Sequence, residues 1–224
     1  MRPVLCIFAH PDDEAFGPAG TIAQMVSERD VYLVSVTSGD AGMNESGQQG
    51  ELGAIRRQEL RDSAETLGIK NIFFLDYIDG TLSNSMYHHI AKEIKKFVDE
   101  VQPEMLITFE PRGLTGHLDH IAVSMITSFV FEKSSNVSEL WEYCLDKDQR
   151  DAFGEEYFIY APEGYTKEEI SMTVDVSNVW DKKLEAIHKH QSQKRDIEGF
   201  LKQNKDLPKV ENFIIKKRKA LDTL

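Results

Sequence analysis

A chain of 224 residues with 41% hydrophobic and 29% charged side chains can bury a substantial core, and its length fits one α/β domain over 1–224 better than two. Its formal charge of −12 argues against a nucleic acid partner, because displacing counterions from a phosphate backbone takes clustered Lys and Arg, and the basic runs at 95–96 and 216–219 are too short. The longest apolar stretches, 3–9 and 31–36, are of strand length, far below the roughly 20 residues that cross a bilayer; with no signal-peptide pattern, no membrane span and a cytoplasmic setting are expected.

Residues 3–9, 31–38, 71–75 and 105–109 are short apolar runs that read as strands. Between them, 20–28, 51–67 and 87–101 carry the helix period, with Ile55, Leu60 and Leu67 among the apolar positions of the second. That alternation predicts a mostly parallel sheet covered by helices and built from right-handed βαβ units. Past Leu118 a helix to about Phe131 is expected, then strands at 139–145, 157–161, 172–176 and 212–215, and a helix from Val179 to about Gln193 capped by Asn178. The polar stretch 147–156 reads as an exposed loop. Cys6 and Cys144 each fall inside a strand and read as packed thiols rather than disulfide partners or metal ligands.

Two abrupt changes from apolar to polar mark the chemistry. The first strand runs straight into His10-Pro11-Asp12-Asp13-Glu14. In an open parallel sheet the crevice beyond the carboxyl ends of the strands is where ligands bind. One imidazole and its neighbouring carboxylates can hold a cation through His10 and one aspartate, which leaves the other aspartate to act as a base. The plain alternative is a set of acidic residues favoured by the positive end of a helix. The strand at 105–109 likewise leads into Gly116-His117-Leu118-Asp119-His120. If a helix starts near Leu118, His117 and His120 stand about one turn apart at its beginning and can face one cavity. His10, one aspartate and His120 would then make a three-ligand set with one position left for water.

These blocks resemble the marks of the LmbE-like, or PIG-L, N-acetylglucosaminyl deacetylases: a His-Pro-Asp-Asp-Glu block near the start and a Gly-His-x-Asp-His block about a hundred residues later. The likeness extends to residues 37–42, to Arg56 and Glu59, and to 190–193. It implies a Rossmann-like fold, one Zn2+ per chain held by His10, Asp13 and His120, Asp12 as general base, and His117 beside the substrate carbonyl; a His, His, Asp set also admits another divalent ion in place of zinc. Asp119 would orient or tune a neighbouring histidine, and the substrate would be a small molecule carrying an N-acetylated amino sugar. By the same likeness Asp12 would take a proton from the attacking water and return it to the leaving nitrogen, while a protonated His117 would stabilise the oxyanion.

Arg56 is a further candidate, able to reach a phosphate or carboxylate of the substrate; its plain reading is a helix-surface pair with Glu59. Asp40 either lines the pocket or caps a turn, and His88 and His89 read as surface or packing residues. The competing functions are hydrolysis of another amide or an ester by the same groups, and a catalytically silent carbohydrate-binding relative. A nucleotide-binding module is disfavoured, since the first strand-to-helix turn lacks Gly-x-Gly-x-x-Gly. Self-association is left open by the sequence.

Overall fold

Five consecutive apolar residues make β1 (Val4–Phe8), and every one of them is buried, which in a strand demands cover on both faces. Val4, Cys6 and Phe8 enter one apolar cluster, and Leu5 and Ile7 a second, following the two-residue period of a strand. The computed structural model describes residues 1–152 and 162–218. In chain order its elements are β1, α1 (Asp13–Phe16), α2 (Ala19–Met25), β2 (Val31–Thr37), α3 (Leu52–Leu67), β3 (Asn71–Tyr77), α4 (Tyr87–Val101), β4 (Met105–Phe109) and α5 (Leu118–Lys133). Then come β5 (Glu139–Cys144), α6 (Lys147–Ala152), β6 (Met172–Asp175), α7 (Trp180–Ile187), α8 (Lys194–Gln203) and β7 (Val210–Lys217).

Among the described residues the strands form one seven-stranded sheet in the order β3-β2-β1-β4-β5-β7-β6. The first five run parallel, β7 pairs antiparallel with β5, and β6 pairs antiparallel with β7. Helices cover both faces, as the residues predict. On one side Ile22, Leu60, Leu67, Ile187 and Phe200 of α2, α3, α7 and α8 pack on the even residues of β1. On the other, Ile90, Ile94 and Val98 of α4, spaced four apart on one face, join Ala122, Ile126 and Val130 of α5 over the odd residues. Among the described residues no helix is long and apolar enough to cross a membrane.

Three expectations are revised. Residues 147–152 of the expected loop form α6, anchored by reciprocal hydrogen bonds between Asp146 and Gln149. The expected helix over 179–193 is broken. A 3-10 turn at Ser177–Val179 precedes α7, the chain leaves helical geometry at His190 (φ −84°, ψ 55°), and a second 3-10 turn, Gln191–Gln193, leads into α8. Long-range bonds cause the break, for His190 reaches Glu14 and the Ser192 N–H donates to Glu59 instead of to a helix carbonyl. Asn178 does not cap α7; its side chain accepts from Gln24 Nε2. The strand expected at 157–161 lies outside the described residues.

Candidate functional site

The strand order reverses between β1 and β4, which lie side by side in the register Val4↔Met105 through Cys6↔Ile107. Their carboxyl ends open the crevice of a doubly wound sheet, so the segments leaving Phe8 and Phe109 meet although a hundred residues separate them. His10, Asp12, Asp13, His117 and His120 all line one cavity of about 670 Å³.

Within it, His10 Nδ1 and His120 Nε2 face each other at 3.0 Å, Asp13 Oδ1 is 3.1 Å from His120 Nε2, and Asp13 Oδ2 is 3.7 Å from His10 Nδ1. The outer nitrogens define which atoms are lone pairs. His120 Nδ1 lies 3.1 Å from the Gly113 carbonyl, which can only accept, so the ring proton sits there and Nε2 offers its pair inward. His10 Nε2 stands 2.9 Å from Asp79 Oδ1 and 3.5 Å from Asp119 Oδ2, in ion-pair range of both carboxylates, which leaves Nδ1 turned to the cluster. Two imidazole nitrogens and a carboxylate thus converge at separations close to the edge, about 3.3 Å, of a tetrahedron drawn with metal–ligand bonds near 2.0–2.1 Å. His10, Asp13 and His120 are accordingly a set that can hold a metal ion.

The electrostatics agree with that reading. Burial alone would lower the His10 pKa, but Asp119 and Asp79, with Asp13 behind them, lift it to about 10; the field that holds a proton on this ring equally favours a cation. Burial would raise the Asp13 carboxyl, yet His120 and His10 hold it well below the usual carboxylate range. Asp12 behaves differently: burial pushes its pKa up to about 6, Arg56 opposes the rise and Asp13 adds to it. His117 is lowered to about 4, first by burial and then by His10 and His120. Its Nδ1 accepts the Asp119 N–H at 3.1 Å, so near neutrality it is an uncharged ring with its proton on Nε2, where a protonated ring was expected from the sequence.

Asp12 sits outside the donor cluster on an unusual backbone, φ 133° and ψ −20°, a conformation that costs a non-glycine residue on the order of 1–3 kcal/mol. Arg56 is buried, and its guanidinium donates to Asp12 Oδ2 (2.8 Å), to the Pro11 carbonyl (2.8 Å) and to the Gly39 carbonyl (2.9 Å). Those bonds tie Arg56 to Asp12, and no pair with Glu59 forms part of them. Gly39 is required for the arrangement: its φ is +65°, and a Cβ there would stand 2.6 Å from the guanidinium.

Asp119 accepts Gly80 N–H (2.7 Å) and Leu82 N–H (3.1 Å), fastening the loop after β3 to the start of α5. That loop carries Asp79, which the sequence reading missed. Asp40 accepts the Asp79 N–H and the Ser38 hydroxyl, so it shapes the Asp79 turn. Glu110, also missed, accepts Arg112 N–H, Leu114 N–H and the Tyr165 hydroxyl, setting the loop that delivers His117 and the Gly113 carbonyl. The 190–193 segment packs beneath the site: His190 Nε2 is 2.9 Å from Glu14, Ser192 donates twice to Glu59, and Gln193 donates to Met43 O. His88, His89 and His188 are exposed.

Residues 5–131 match the PIG-L family, described as GlcNAc-PI de-N-acetylase. The chain is 32% identical over 200 residues to a diacetylchitobiose deacetylase of Thermococcus kodakarensis, covering 86% of this chain and 70% of that one. It is 28% identical over 199 residues to a probable N-acetyl-alpha-D-glucosaminyl L-malate deacetylase 2 of Bacillus cereus, covering 86% and 84%. Its fold is similar to that of N,N'-diacetylchitobiose deacetylase from Pyrococcus horikoshii, solved with its inhibitor MPG, with a TM-score of 0.74 at 26% identity over 99% of this chain and 88% of that one. On a family match spanning more than half its length, and a relative at that identity, the chain belongs to the PIG-L (LmbE-like) family.

Proposed function

We propose that this chain is a zinc-dependent hydrolase that removes the acetyl group from the nitrogen of a small amino-sugar derivative. The observation that carries the reading is the convergence of two imidazole nitrogens and the Asp13 carboxylate within one cavity that also holds Asp12. His10, Asp13 and His120 would hold the ion, which supplies Lewis-acid polarisation of the acetamide and lowers the pKa of water. The deacetylase activities named for its relatives supply the substrate class.

Asp12 is the base. It takes the proton of the attacking water and later returns it to the departing amine nitrogen, so that no free amide anion forms. Arg56 fixes the Asp12 carboxylate while occupied by three bonds to the protein, and we assign its part in substrate recognition to that alignment. His117 donates from Nε2 to the carbonyl oxygen as charge builds there; being uncharged, it gains strength as a donor in the transition state rather than binding the product acetate tightly. We also read 1–224 as one catalytic domain in the cytoplasm, a setting with which two buried free thiols agree.

The test is acetate release from a panel of N-acetylated mono- and disaccharides, measured as purified, after chelation and after zinc return. Activity lost on chelation and restored by zinc supports the proposal. Hydrolysis of esters or non-sugar amides with no release from any N-acetyl sugar overturns the substrate class. In the same assay His117→Ala should lower kcat by about 10²- to 10³-fold with zinc content unchanged.

A further inference from the structure

Glu14 has no place in the donor cluster, yet it is 1% exposed, and a carboxylate that deep needs a reason. Its Oε2 accepts the N–H of Asp12 at 3.1 Å. Its Oε1 accepts the Ser63 hydroxyl at 2.5 Å and lies 2.9 Å from His190 Nε2. Ser63 and His190 are both wholly buried. An acidic residue serving only the positive end of α1 would sit at the surface of that four-residue helix, whereas this one is aimed backwards at the amide of its second neighbour. His190 is committed to the same task, for its Nδ1 is buried without a partner among the described residues, and Nε2 is the nitrogen that earns the ring its position.

We infer that Glu14 is a positioning residue that holds the backbone of Asp12 at positive φ, and that Ser63 and His190 fix the Glu14 carboxylate for that purpose. The inference rests on the reading of Asp12 as base. Three grips then hold Asp12: Glu14 on its N–H, the α1 amides of Ala15 and Phe16 on its C=O, and Arg56 on its carboxylate. The first depends on the 190–193 segment, which gives that part of the chain a role in the chemistry although it does not touch the reacting atoms.

The experiment compares wild type, Glu14→Ala, Glu14→Gln and Ser63→Ala by amide hydrogen exchange of Asp12 in 15N-labelled protein, by zinc content, and by kcat and KM for acetate release. Glu14→Ala should speed Asp12 exchange about tenfold or more while leaving strands β1 and β4 protected. It should lower kcat about 10²-fold, the usual result of misplacing a reacting group by an ångström, with KM and zinc content little changed. Glu14→Gln should recover most of both losses, because its oxygen can face Asp12 N–H while its NH2 faces Ser63 Oγ and an accepting His190. Unchanged exchange and kcat in folded Glu14→Ala overturn the inference, as does a kcat loss that follows zinc content alone. If Glu14→Ala does not fold, the other two decide: Ser63→Ala must loosen the Asp12 amide more than Glu14→Gln does, and the reverse order overturns the inference. A wild type that releases no acetate from any sugar removes the role given to Asp12 but leaves the exchange comparison to be judged separately.

Discussion

Replacing Asp119 by Asn tests the clasp behind His10. The carboxylate accepts Gly80 N–H at 2.7 Å and Leu82 N–H at 3.1 Å, and stands 3.5 Å from His10 Nε2. Asparagine keeps one oxygen, so one of the two backbone donors must face an NH2 group. Leaving such a donor without its acceptor costs up to about 1–3 kcal/mol, the upper figure for the buried Leu82 N–H and less for the part-buried Gly80 N–H, and a chain of this length loses roughly 2–4 °C of Tm per kcal/mol, so the metal-free variant should melt lower by up to about 12 °C. Removing negative charge from behind His10 should also weaken zinc binding by about 10- to 100-fold. Thermal unfolding of chelated protein reads the first effect, and competition against a chromogenic chelator reads the second. An Asp119→Asn protein that melts with wild type and binds zinc as tightly would refute the assignment of Asp119 as a partner of His10.

The remaining predictions concern parts of the molecule around that clasp. Lys183→Met breaks a buried ion pair whose Nζ bonds Glu211 at 2.7 Å and the Gly17 carbonyl at 2.6 Å, and should cost about 3–5 kcal/mol in urea unfolding; a loss no larger than that of an exposed lysine would show that the pair does not hold α7 to β7. Gly39→Ala should push Arg56 off Asp12 and lower kcat by about 10²-fold without releasing zinc, and equal turnover in the two proteins would count against the alignment role of Arg56. Burial alone would lower the His190 pKa, but Glu14 holds it above the ordinary 6.5, so the stabilisation is complete below that pH and is lost as pH rises through the folded-state value. The difference in unfolding free energy between wild type and His190→Gln should therefore shrink from mildly acid to alkaline solution, and a widening gap would contradict the sign.

The sheet and the two histidine blocks are legible in the sequence because both depend on local pattern. Strand β1 is an unbroken apolar run and β4 an apolar run interrupted only by Thr108, each with a sudden polar ending, and topology does the rest. Asp79 escapes such reading, since it follows the half-buried edge strand β3 and has no histidine nearby in the chain to draw attention to it; an acidic residue with Gly80 behind it, just past a strand, is the one available signal. The break between α7 and α8 is invisible for a different reason. It is made by partners far away in sequence, Glu14 and Glu59, and helix propensity over 179–193 says nothing of them. Helix α8 is obscured because only Ile197 and Phe200 of its ten residues are buried. The charge state of His117 depends on burial and on the rings around it, neither of which is a property of the motif it belongs to.

The wedge formed by α7, the 190–193 segment and α8 has a practical corollary for anyone hoping to graft this centre onto another scaffold. A fragment ending after α5 would include each of His10, Asp12, Asp13, His117 and His120, and so would look chemically sufficient on paper. It would nonetheless remove Tyr143, Ile187, Phe200 and Phe213 from the apolar cluster that holds Phe8 and Phe109, and it would deprive Glu14 of His190 and Glu59 of Ser192. The transplantable unit is the whole wrapped sheet, and the portion that lies outside the two histidine blocks is the one a designer would be most tempted to discard.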